Sequence, residues 1–296
     1  MTVYVIGSIN QDIVATSDSH MRPGETLTGN DLNYYPGGKG ANQAIAAARA
    51  GAAVAMIGCT GDDAAGSDLR AYLAEAGVDV TRVQVKAGTP TGTALIVVAQ
   101  GENSIIVIQG ANQEVGLATI EGIPFAAGDV VVSQFETPVA TALAAFTKAR
   151  QLGARTLLNP SPVEPIAQEL LYQLDFLVVN EHEFEQIFDR PLGPVLHGKA
   201  GAPAAFAGTL IVTLGSDGVL TLSGGGRIRH GGRSVEVVDS TGAGDCFAGY
   251  LAAALHDGND LENAVALANV AASMSVTRPG AASSMPEISD VRAASE

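Results

Sequence analysis

Residues 239–249 read DSTGAGDCFAG, a stretch in which two glycines precede a carboxylate and the beginning of an apolar run. Glycine lets the backbone turn so that successive N–H groups converge. A helix that begins near Ala243 adds the partial positive charge of its N-terminus, so the stretch predicts an anion site. Asp245 then has two interpretations. It is either a carboxylate that stabilises the helix start, or a base that takes a proton from a nucleophile attacking the anion.

The two commonest nucleotide-binding motifs do not fit this chain. A dinucleotide fingerprint requires a third glycine at position 247, where the sequence has Phe247. A P-loop requires a lysine followed by serine or threonine, but Lys39 is followed by Gly40, and Asn33 stands where the first glycine should be. The sequence therefore argues against a dinucleotide-dependent oxidoreductase and against a P-loop enzyme.

Composition limits the class of protein. The 296 residues are 47% hydrophobic and 16% charged, which suits one large α/β domain over 1–296. A net charge of −15 argues against a nucleic-acid partner, because such a surface needs a basic face. Cys59 and Cys246 are too few for a disulfide framework, and the sequence has neither a signal-peptide pattern nor a membrane-spanning run. We expect a cytoplasmic protein without a membrane partner.

Short β-rich runs alternate with helical segments, a pattern typical of a parallel sheet covered by helices. The strand candidates are residues 3–7, 53–58, 129–134, 154–159, 175–179 and 209–215. The helix candidates are residues 40–50, 64–76, 138–152, 181–188, 243–256 and 261–276. The pattern predicts a mostly parallel central sheet.

Two regions, residues 12–36 and 83–109, interrupt this alternation. They contain runs such as VQV, TALIVVA and SIIVIQG, which are typical of antiparallel strands joined by turns. We predict that both regions form one small sheet that folds over a site as a lid. Residues 190–208 are rich in Pro, Gly and Ala and are poorly patterned.

Three further stretches resemble the first in their chemistry. Residues 37–51, GGKGANQAIAAARAG, again run from glycines into a predicted helix and add a lysine and an amide. Residues 7–12, GSINQD, leave the first strand with Asn10 and Asp12 two positions apart, so their side chains point the same way. Residues 180–183, NEHE, leave a strand at the end where open α/β sheets bind ligands. Each could be a turn or a cap, but four together favour a site for a polyol and an anion.

In this order, GSINQD, GGKGANQA, NEHE, TLGSDG and DSTGAGD resemble the PfkB carbohydrate-kinase family, and within it the ribokinases, from residue 3 to about 288. The resemblance implies a ribokinase-like three-layer α/β/α fold with a β-clasp lid. It also implies ATP-dependent phosphorylation of D-ribose at its 5-hydroxyl. The alternatives are a family kinase for deoxyribose, fructose, ketodeoxygluconate or pseudouridine, and a sugar-binding protein without catalysis. Asp245 and Lys39 argue against the last, because binding alone needs no base.

The resemblance also implies a role for each matching residue. Asp245 would be the catalytic base, and Gly242, Ala243 and Gly244 would form the anion hole. The sugar would be bound by Asn10, Asp12, Gly38, Lys39, Asn42, Glu136 and Asp245. ATP, the co-substrate, would lie near Asn180, Thr213, Gly215, Gly218, Gly244 and Asn269.

Two cations and a second copy of the chain complete these expectations. Magnesium would lie near Asn180 and Glu183. Potassium, as a monovalent activator, would lie among Asp239, Thr241, Ser275, Arg278, Gly280 and Ser284. The family often dimerises through its lid sheets, so the resemblance favours a homodimer.

Overall fold

The computed structural model describes residues 1–295 as two sheets with surrounding helices. The strands are β1 Val3–Ile6, β2 Asn10–Thr16, β3 Asp31–Gly37, β4 Val54–Gly61, β5 Val78–Lys86, β6 Gly92–Ala99, β7 Glu102–Ile108, β8 Val130–Ser133, β9 Arg155–Leu158, β10 Phe176–Asn180, β11 Thr209–Thr213, β12 Val219–Ser223 and β13 Gly226–His230. The helices are α1 Lys39–Arg49, α2 Ala64–Glu75, α3 Ala118–Glu121, α4 Val139–Gln151, α5 Gln168–Leu171, α6 Glu181–Phe188, α7 Gly193–Leu196, α8 Ala243–His256, α9 Leu261–Ser275 and α10 Ile288–Ser295. Short 3₁₀ turns span Gly110–Glu114, Gly215–Asp217 and Ala282–Ser284.

The large sheet has nine strands in the order β13-β12-β11-β10-β9-β8-β1-β4-β5. The seven strands from β11 to β5 are parallel, and β12 and β13 are antiparallel at one edge. Strands such as β1 and β8 are buried along their whole length, as expected for a sheet covered on both faces. One core packs beneath α1, α2, α8, α9 and α10, and the other beneath α4 and α6. The predicted three-layer α/β/α fold is confirmed.

Small residues make the contact between helices α1 and α8, so their backbones approach closely. A Cβ at Gly249 would stand 2.5 Å from the backbone oxygen of Gln43 and 2.5 Å from the Cβ of Ala46. Any larger residue at position 249 would force the helices apart, since a packed interior does not absorb extra volume. This contact sets the N-terminal turns of α1 and α8 side by side.

The small sheet has four strands in the order β3-β2-β6-β7. Within each of the two regions the strands are antiparallel, β2 with β3 and β6 with β7, whereas β2 and β6, which join the regions, are parallel. The VQV run, residues 83–85, lies outside this sheet. It belongs to β5, where it continues the parallel ladder with β4 as far as the Lys86 and Gly61 pair, with Val83 buried against the core. The small sheet uses only residues 92–99 and 102–108 of the second region.

The sequence did not predict the two antiparallel strands at one end of the large sheet, β12 and β13. They form a hairpin closed by Gly224 and Gly225, both with positive φ, the backbone that a tight hairpin turn requires. The glycine pair between two β-rich runs is a signal for this hairpin.

Over residues 1–295, no helix combines the length and the apolar character that crossing a bilayer demands.

The strand order changes direction at β1. From β1 the chain adds β4 and β5 on one side, and later β8, β9, β10 and β11 on the other. Connections leave β1 and β8 in opposite directions, which opens a crevice at the carboxyl ends of the strands. The polar stretches found in the sequence follow β1, β10 and the small sheet at this same edge.

Candidate active site

Asp245 lies in the first turn of α8, as the sequence predicted. The helix begins at Ala243 after Gly242, whose φ of 76° and 2.8 Å approach of its would-be Cβ to the Cβ of Ala281 require glycine. The Ala243 amide makes a long 3.3 Å hydrogen bond to Ser240 O. A Cβ at Gly244 would meet nothing within 4 Å, so the backbone is open to the cleft. A helix start of this kind is an anion site.

The Asp245 carboxylate is buried and points towards α1. Its Oδ2 accepts a 3.0 Å hydrogen bond from Asn42 Nδ2, and its Oδ1 accepts a 2.9 Å hydrogen bond from Gln43 Nε2. Only 5% of the residue is exposed. A carboxylate that only stabilised a helix start would not need burial against two side-chain amides. The structure thus favours the second interpretation of Asp245, a group placed for chemistry.

Lys39 is the single cation among the residues that line a cavity of about 190 Å³ at this point. The lining residues are Lys39, Asn159, Ser161, Val178, Val179, Asn180, Glu183, Thr213, Ser240, Gly242, Ala243, Gly244 and Asp245. Burial acts to lower the pKa of Lys39, but the carboxylates of Asp245, Glu136 and Glu183 outweigh it and raise that pKa. The ammonium therefore stays charged at neutral pH.

Asp12 and Glu136 lie on the small-sheet side of the same site. Glu136 Oε2 accepts hydrogen bonds from Ser8 Oγ at 2.5 Å and from the Lys39 backbone amide at 3.0 Å. These two bonds connect the segments that follow β1 and β8 to the start of α1. Burial, with smaller contributions from Glu136 and Asp245, raises the pKa of Asp12 to about 7. Gly37 makes room for this carboxyl group, since a Cβ there would lie 2.2 Å from Asp12 Oδ2.

Two asparagines at the site have fixed directions. Asn10 Oδ1 accepts a 2.7 Å hydrogen bond from Asn112 Nδ2, so Asn10 has its NH₂ group left to donate. Asn42 donates to Asp245, and its Oδ1 is buried without a hydrogen-bond partner among residues 1–295. Buried polar atoms are rarely left unpaired. The pair thus offers one donor and one acceptor, a combination that suits sugar hydroxyl groups. Gly38, at a φ of 91°, allows α1 to start here.

Sequence reasoning missed four buried polar residues around this site: Asn112, Gln43, Gln134 and Asn159. Gln134 and Asn159 directly follow β8 and β9, so their position after a buried strand was a usable signal. Gln43 belongs to the GGKGANQA stretch, in which roles were predicted only for Gly38, Lys39 and Asn42. Asn112 follows the small sheet and donates to Ile9 O as well as to Asn10, and no sequence pattern indicates this pairing.

A larger cavity of about 410 Å³ adjoins the first one. Thr213, Ser240, Ala243 and Gly244 line both, so the two form one cleft. The larger cavity contains four of the predicted ATP positions besides Gly244: Thr213, Gly215, Gly218 and Asn269. Its other lining residues are Ser216, Val219, Arg233, Ser234, Val235, Val237, Ser240, Ala243, Phe247, Ala272, Ser273 and Val276. Asn180 lies in the smaller cavity instead.

Asn180 and Glu183 form a reciprocal cap at the start of α6. Asn180 Oδ1 accepts from the Glu183 amide and Glu183 Oε2 accepts from the Asn180 amide, both at 2.8 Å. Burial raises the pKa of Glu183, although the Asn180 amide and Lys39 oppose the shift. Residues 1–295 contain no group of three or more Asp, Glu, His or Cys side chains suited to a metal. The Glu183 carboxylate alone fits magnesium, because this ion takes most of its ligands from phosphates and water.

Asp239 joins the two loops for which potassium was predicted. Its Oδ1 accepts from the Thr241 amide at 2.9 Å and its Oδ2 from the Gly280 amide at 2.8 Å. Burial would raise the pKa of Asp239, but these hydrogen bonds outweigh it and lower that pKa. Ser275 and Ser284 are buried, while Arg278 is exposed and donates its amide to Ser275 O at 3.3 Å. The loops supply an ionised carboxylate and many carbonyls, a donor set that fits a hard monovalent cation.

Comparison with known proteins agrees with this geometry. The model for "pfkB family carbohydrate kinase" matches residues 2–288. Ribokinase of Bacillus subtilis (strain 168) is 39% identical over 293 residues, which cover 98% of this chain and 97% of that protein. Deoxyribokinase of Salmonella typhi is 33% identical over 298 residues, covering 97% and 96%. The structure of Arabidopsis thaliana ribokinase complexed with ribose and ATP superposes with a TM-score of 0.90 at 29% identity, covering 99% and 98%.

The fold, the cleft and these relatives define a phosphotransferase that acts on an alcohol group. More specifically, the chain belongs to the pfkB family of carbohydrate kinases.

Proposed function

We propose that this chain is an ATP-dependent ribokinase, which phosphorylates D-ribose at its 5-hydroxyl. One observation carries the proposal: a single cleft joins the buried Asp245 and the half-buried Lys39 to a cavity of about 410 Å³, with the α8 N-terminus between them. The relatives support ribose as the acceptor, since a ribokinase is 39% identical to the chain and a deoxyribokinase 33% identical.

Asp245 acts as the base in the proposed reaction. An aspartate is too weak to remove an alcohol proton in the ground state. In the loose transition state of phosphoryl transfer it orients the hydroxyl group and accepts the proton late. The two hydrogen bonds from the side-chain amides of Asn42 and Gln43 keep the carboxylate in one orientation, which supports this role.

The anion hole is proposed at Gly242, Ala243 and Gly244. The first amides of a helix have no partner within the helix, and these three residues line the cavity that also contains Lys39. As negative charge spreads over the oxygens of the transferring group, these donors and the ammonium stabilise it. The Lys39 ammonium is a compact point charge, so its attraction for the phosphate oxygens does not depend on a precise hydrogen-bond angle.

Sugar recognition is proposed for Asn10, Asp12, Gly38, Lys39, Asn42 and Glu136, together with Asp245. The donor left on Asn10, the unpaired acceptor on Asn42 and the carboxyl group of Asp12 support this role. ATP is proposed along Thr213, Gly215, Gly218, Gly244 and Asn269, with Asn180 nearer to the phosphates.

Magnesium is proposed at Glu183 and Asn180. The smaller cavity contains the carboxylates of Glu183 and Asp245 but one cation, Lys39, so a divalent ion would reduce the repulsion of an incoming triphosphate. When bound, magnesium supplies charge neutralisation of the phosphates. The Glu183 carboxylate is already oriented by the Asn180 amide.

Potassium is proposed between the 239–241 and 275–284 loops, at Asp239, Thr241, Ser275, Arg278, Gly280 and Ser284. Both loops adjoin the anion hole, because Gly242 packs on Ala281. A cation there would keep the hole's amides aimed at the phosphate. Replacing potassium by tetramethylammonium is expected to lower the rate of ADP release by about tenfold or more. Equal rates in the two salts would contradict the potassium site.

The small sheet is proposed as a lid and as the interface of a homodimer. Asp12 faces the site, and the opposite face of the sheet presents Leu32, Tyr34, Leu95 and Ile106, each at least 41% exposed. An apolar face of this kind marks an interaction surface. Sedimentation is expected to show a species of twice 30.0 kDa, which Ile106→Glu converts to monomer. A wild-type monomer at working concentration would refute the dimer.

We also propose that the protein works in the cytoplasm. Both of its cysteines, Cys59 and Cys246, are buried as free thiols, which suits a reducing compartment. Fractionation of the source cells, with the protein found outside the cytoplasmic fraction, would refute this.

The proposed function is tested by measuring ADP release with a panel of acceptors. The panel contains ribose, 2-deoxyribose, fructose, ketodeoxygluconate and pseudouridine, each with magnesium and potassium. We expect the highest kcat/KM with ribose, and no ADP release when magnesium is removed with a chelator. A higher kcat/KM with another acceptor would reassign the substrate. Binding of sugar without ADP release from any acceptor would indicate a sugar-binding protein without catalysis.

A further inference from the structure

Beyond its contact with Gln43, the Asp245 carboxylate is connected to a longer chain of buried side-chain amides. Gln43 Nε2 donates to Asp245 Oδ1 at 2.9 Å and to Asn159 Oδ1 at 3.2 Å. Gln134 Nε2 donates in turn to Gln43 Oε1 at 2.6 Å. Gln43 and Gln134 are fully buried, and neither lines either part of the cleft. The chain thus connects α1 and the ends of β8 and β9 to the proposed base.

The charge on Asp245 determines the direction of every hydrogen bond in this chain. A carboxylate can only accept, so Gln43 must turn its NH₂ group towards Asp245 and its oxygen towards Gln134. Gln134 must therefore donate, and its own oxygen points to Gly7, where a Cβ would lie 2.1 Å away. That oxygen has no hydrogen-bond partner among residues 1–295. Leaving this buried acceptor unpaired costs free energy. If the Gln134 amide were turned the other way, however, its oxygen would face the oxygen of Gln43.

We propose that Gln43 is a positioning residue that fixes the Asp245 carboxylate for proton transfer, and that Gln134 holds the amide of Gln43 in the required direction. The inference rests on the proposed function. Asn42 holds one oxygen of the carboxylate and Gln43 holds the other, so the group cannot rotate about its terminal bond. Because proton transfer depends on the angle as well as the distance, a base held at both oxygens presents the same lone pair at each turnover.

Gln134→Glu tests the proposal because it replaces one NH₂ group of the chain by an oxygen, two hydrogen bonds from the base. When the introduced carboxyl group is ionised it cannot donate, so Gln43 must turn over and set its oxygen against Asp245. When that group is protonated it can donate through its O–H, which restores the original direction. The titratable groups that face this region are Asp12, Lys39, Glu136, Glu183 and Asp245. All five are also present in the wild type and in Gln134→Leu, so the pH profiles of these two proteins are measured beside that of Gln134→Glu.

At about pH 8 the variant's kcat is expected to be about 10- to 100-fold below that of the wild type. The KM for ribose is expected to change by less than about threefold, since Gln134 does not line the cleft. The ratio of variant to wild-type kcat is expected to rise as the pH falls towards about 5.5, because burial raises the pKa of an unpaired carboxyl group. Disturbed packing without a new titratable group, as in Gln134→Leu, would give a ratio that does not depend on pH.

Gln151→Glu is the matched control, because it makes the same chemical change at an exposed position at the end of α4. Its rate ratio is expected to stay near one at every pH. Gln43→Leu and Gln134→Leu, with circular dichroism to confirm folding, guard against misfolding of the glutamate variant. If Gln134 acts through Gln43, the double leucine variant is no slower than Gln43→Leu. Additive losses would overturn the proposal.

A measurement without turnover separates this inference from the proposed function. In ¹H–¹⁵N spectra, Asp245→Asn is expected to shift the side-chain amide signals of both Gln43 and Gln134, although Gln134 does not touch Asp245. An unshifted Gln134 signal, or a rate ratio that stays flat with pH, would overturn the positioning chain while ribose phosphorylation by the wild type still stands. Failure of the wild type with every acceptor would overturn the proposed function, and the spectra would still decide the positioning chain.

Discussion

Asp245→Asn is expected to lower kcat by about 10²- to 10⁴-fold, the usual contribution of a positioned general base. The KM for ribose is expected to change little, since the side chain keeps its shape. Asparagine cannot accept the alcohol proton. It also replaces one carboxylate oxygen by an NH₂ group, which must then face a donor, either Asn42 Nδ2 or Gln43 Nε2. Steady-state kinetics with ribose and ATP measure both parameters.

Asp260→Asn is the matched control for this variant. Asp260 is exposed and caps α9 through the Asn263 amide, and asparagine caps a helix about as well as aspartate. Its kcat is expected to match that of the wild type. Near-full activity of Asp245→Asn, with folding confirmed, would remove Asp245 from the reaction and with it the proposed mechanism.

Lys39→Met is expected to lower kcat/KM for ATP and ribose by about 10²- to 10³-fold, comparable with the loss of one transition-state donor. Methionine keeps most of the aliphatic length but removes the ammonium. The smaller cavity would then hold the carboxylates of Asp245 and Glu183 without a protein cation. The hydrogen bond from the backbone amide of residue 39 to Glu136 does not depend on the side chain, so α1 should keep its start.

Lys199→Met serves as the comparison, because Lys199 is exposed and lines a separate pocket that shares no residue with the cleft. It changes the protein's net charge by the same amount as Lys39→Met but leaves the residues of the cleft unchanged. If Lys39→Met and Lys199→Met had the same kcat/KM, the ammonium of Lys39 would have no part in stabilising the transferring group.

The layered fold and the centre of the site could be predicted from sequence patterns. Buried strands give continuous β-branched runs, and the Ala-rich helices between them are strong helix formers. The glycine stretches before Lys39 and Asp245 were recognisable because anion sites need free backbone amides. The distance between these stretches could not be predicted: Asn42 and Asp245 are 203 positions apart, and the packing of α8 on α1, in which Gly249 lies against Gln43 and Ala46, brings them together.

The features that the sequence did not predict have a common physical origin: each depends on contacts between residues that are far apart in the sequence. Residues 83–85 alternate in polarity like a small-sheet strand, but their pairing with β4 is decided by the neighbouring core. The parallel pairing of β2 with β6 likewise depends on the partner strand, which local polarity does not reveal. Gln134 and Asn112 gain their roles through contacts with Gln43 and Asn10, and a lone buried amide carries no pattern.

The most direct test of the account is a crystal structure with ribose and a non-hydrolysable ATP analogue. We expect the terminal phosphate to lie against the amides of Gly242, Ala243 and Gly244. We also expect the ribose 5-oxygen to lie about 2.6–3.2 Å from an Asp245 carboxylate oxygen, the reach of a general base. A ribose whose hydroxyl groups all lie beyond one bridging water from Asp245, or a terminal phosphate away from the start of α8, would contradict it.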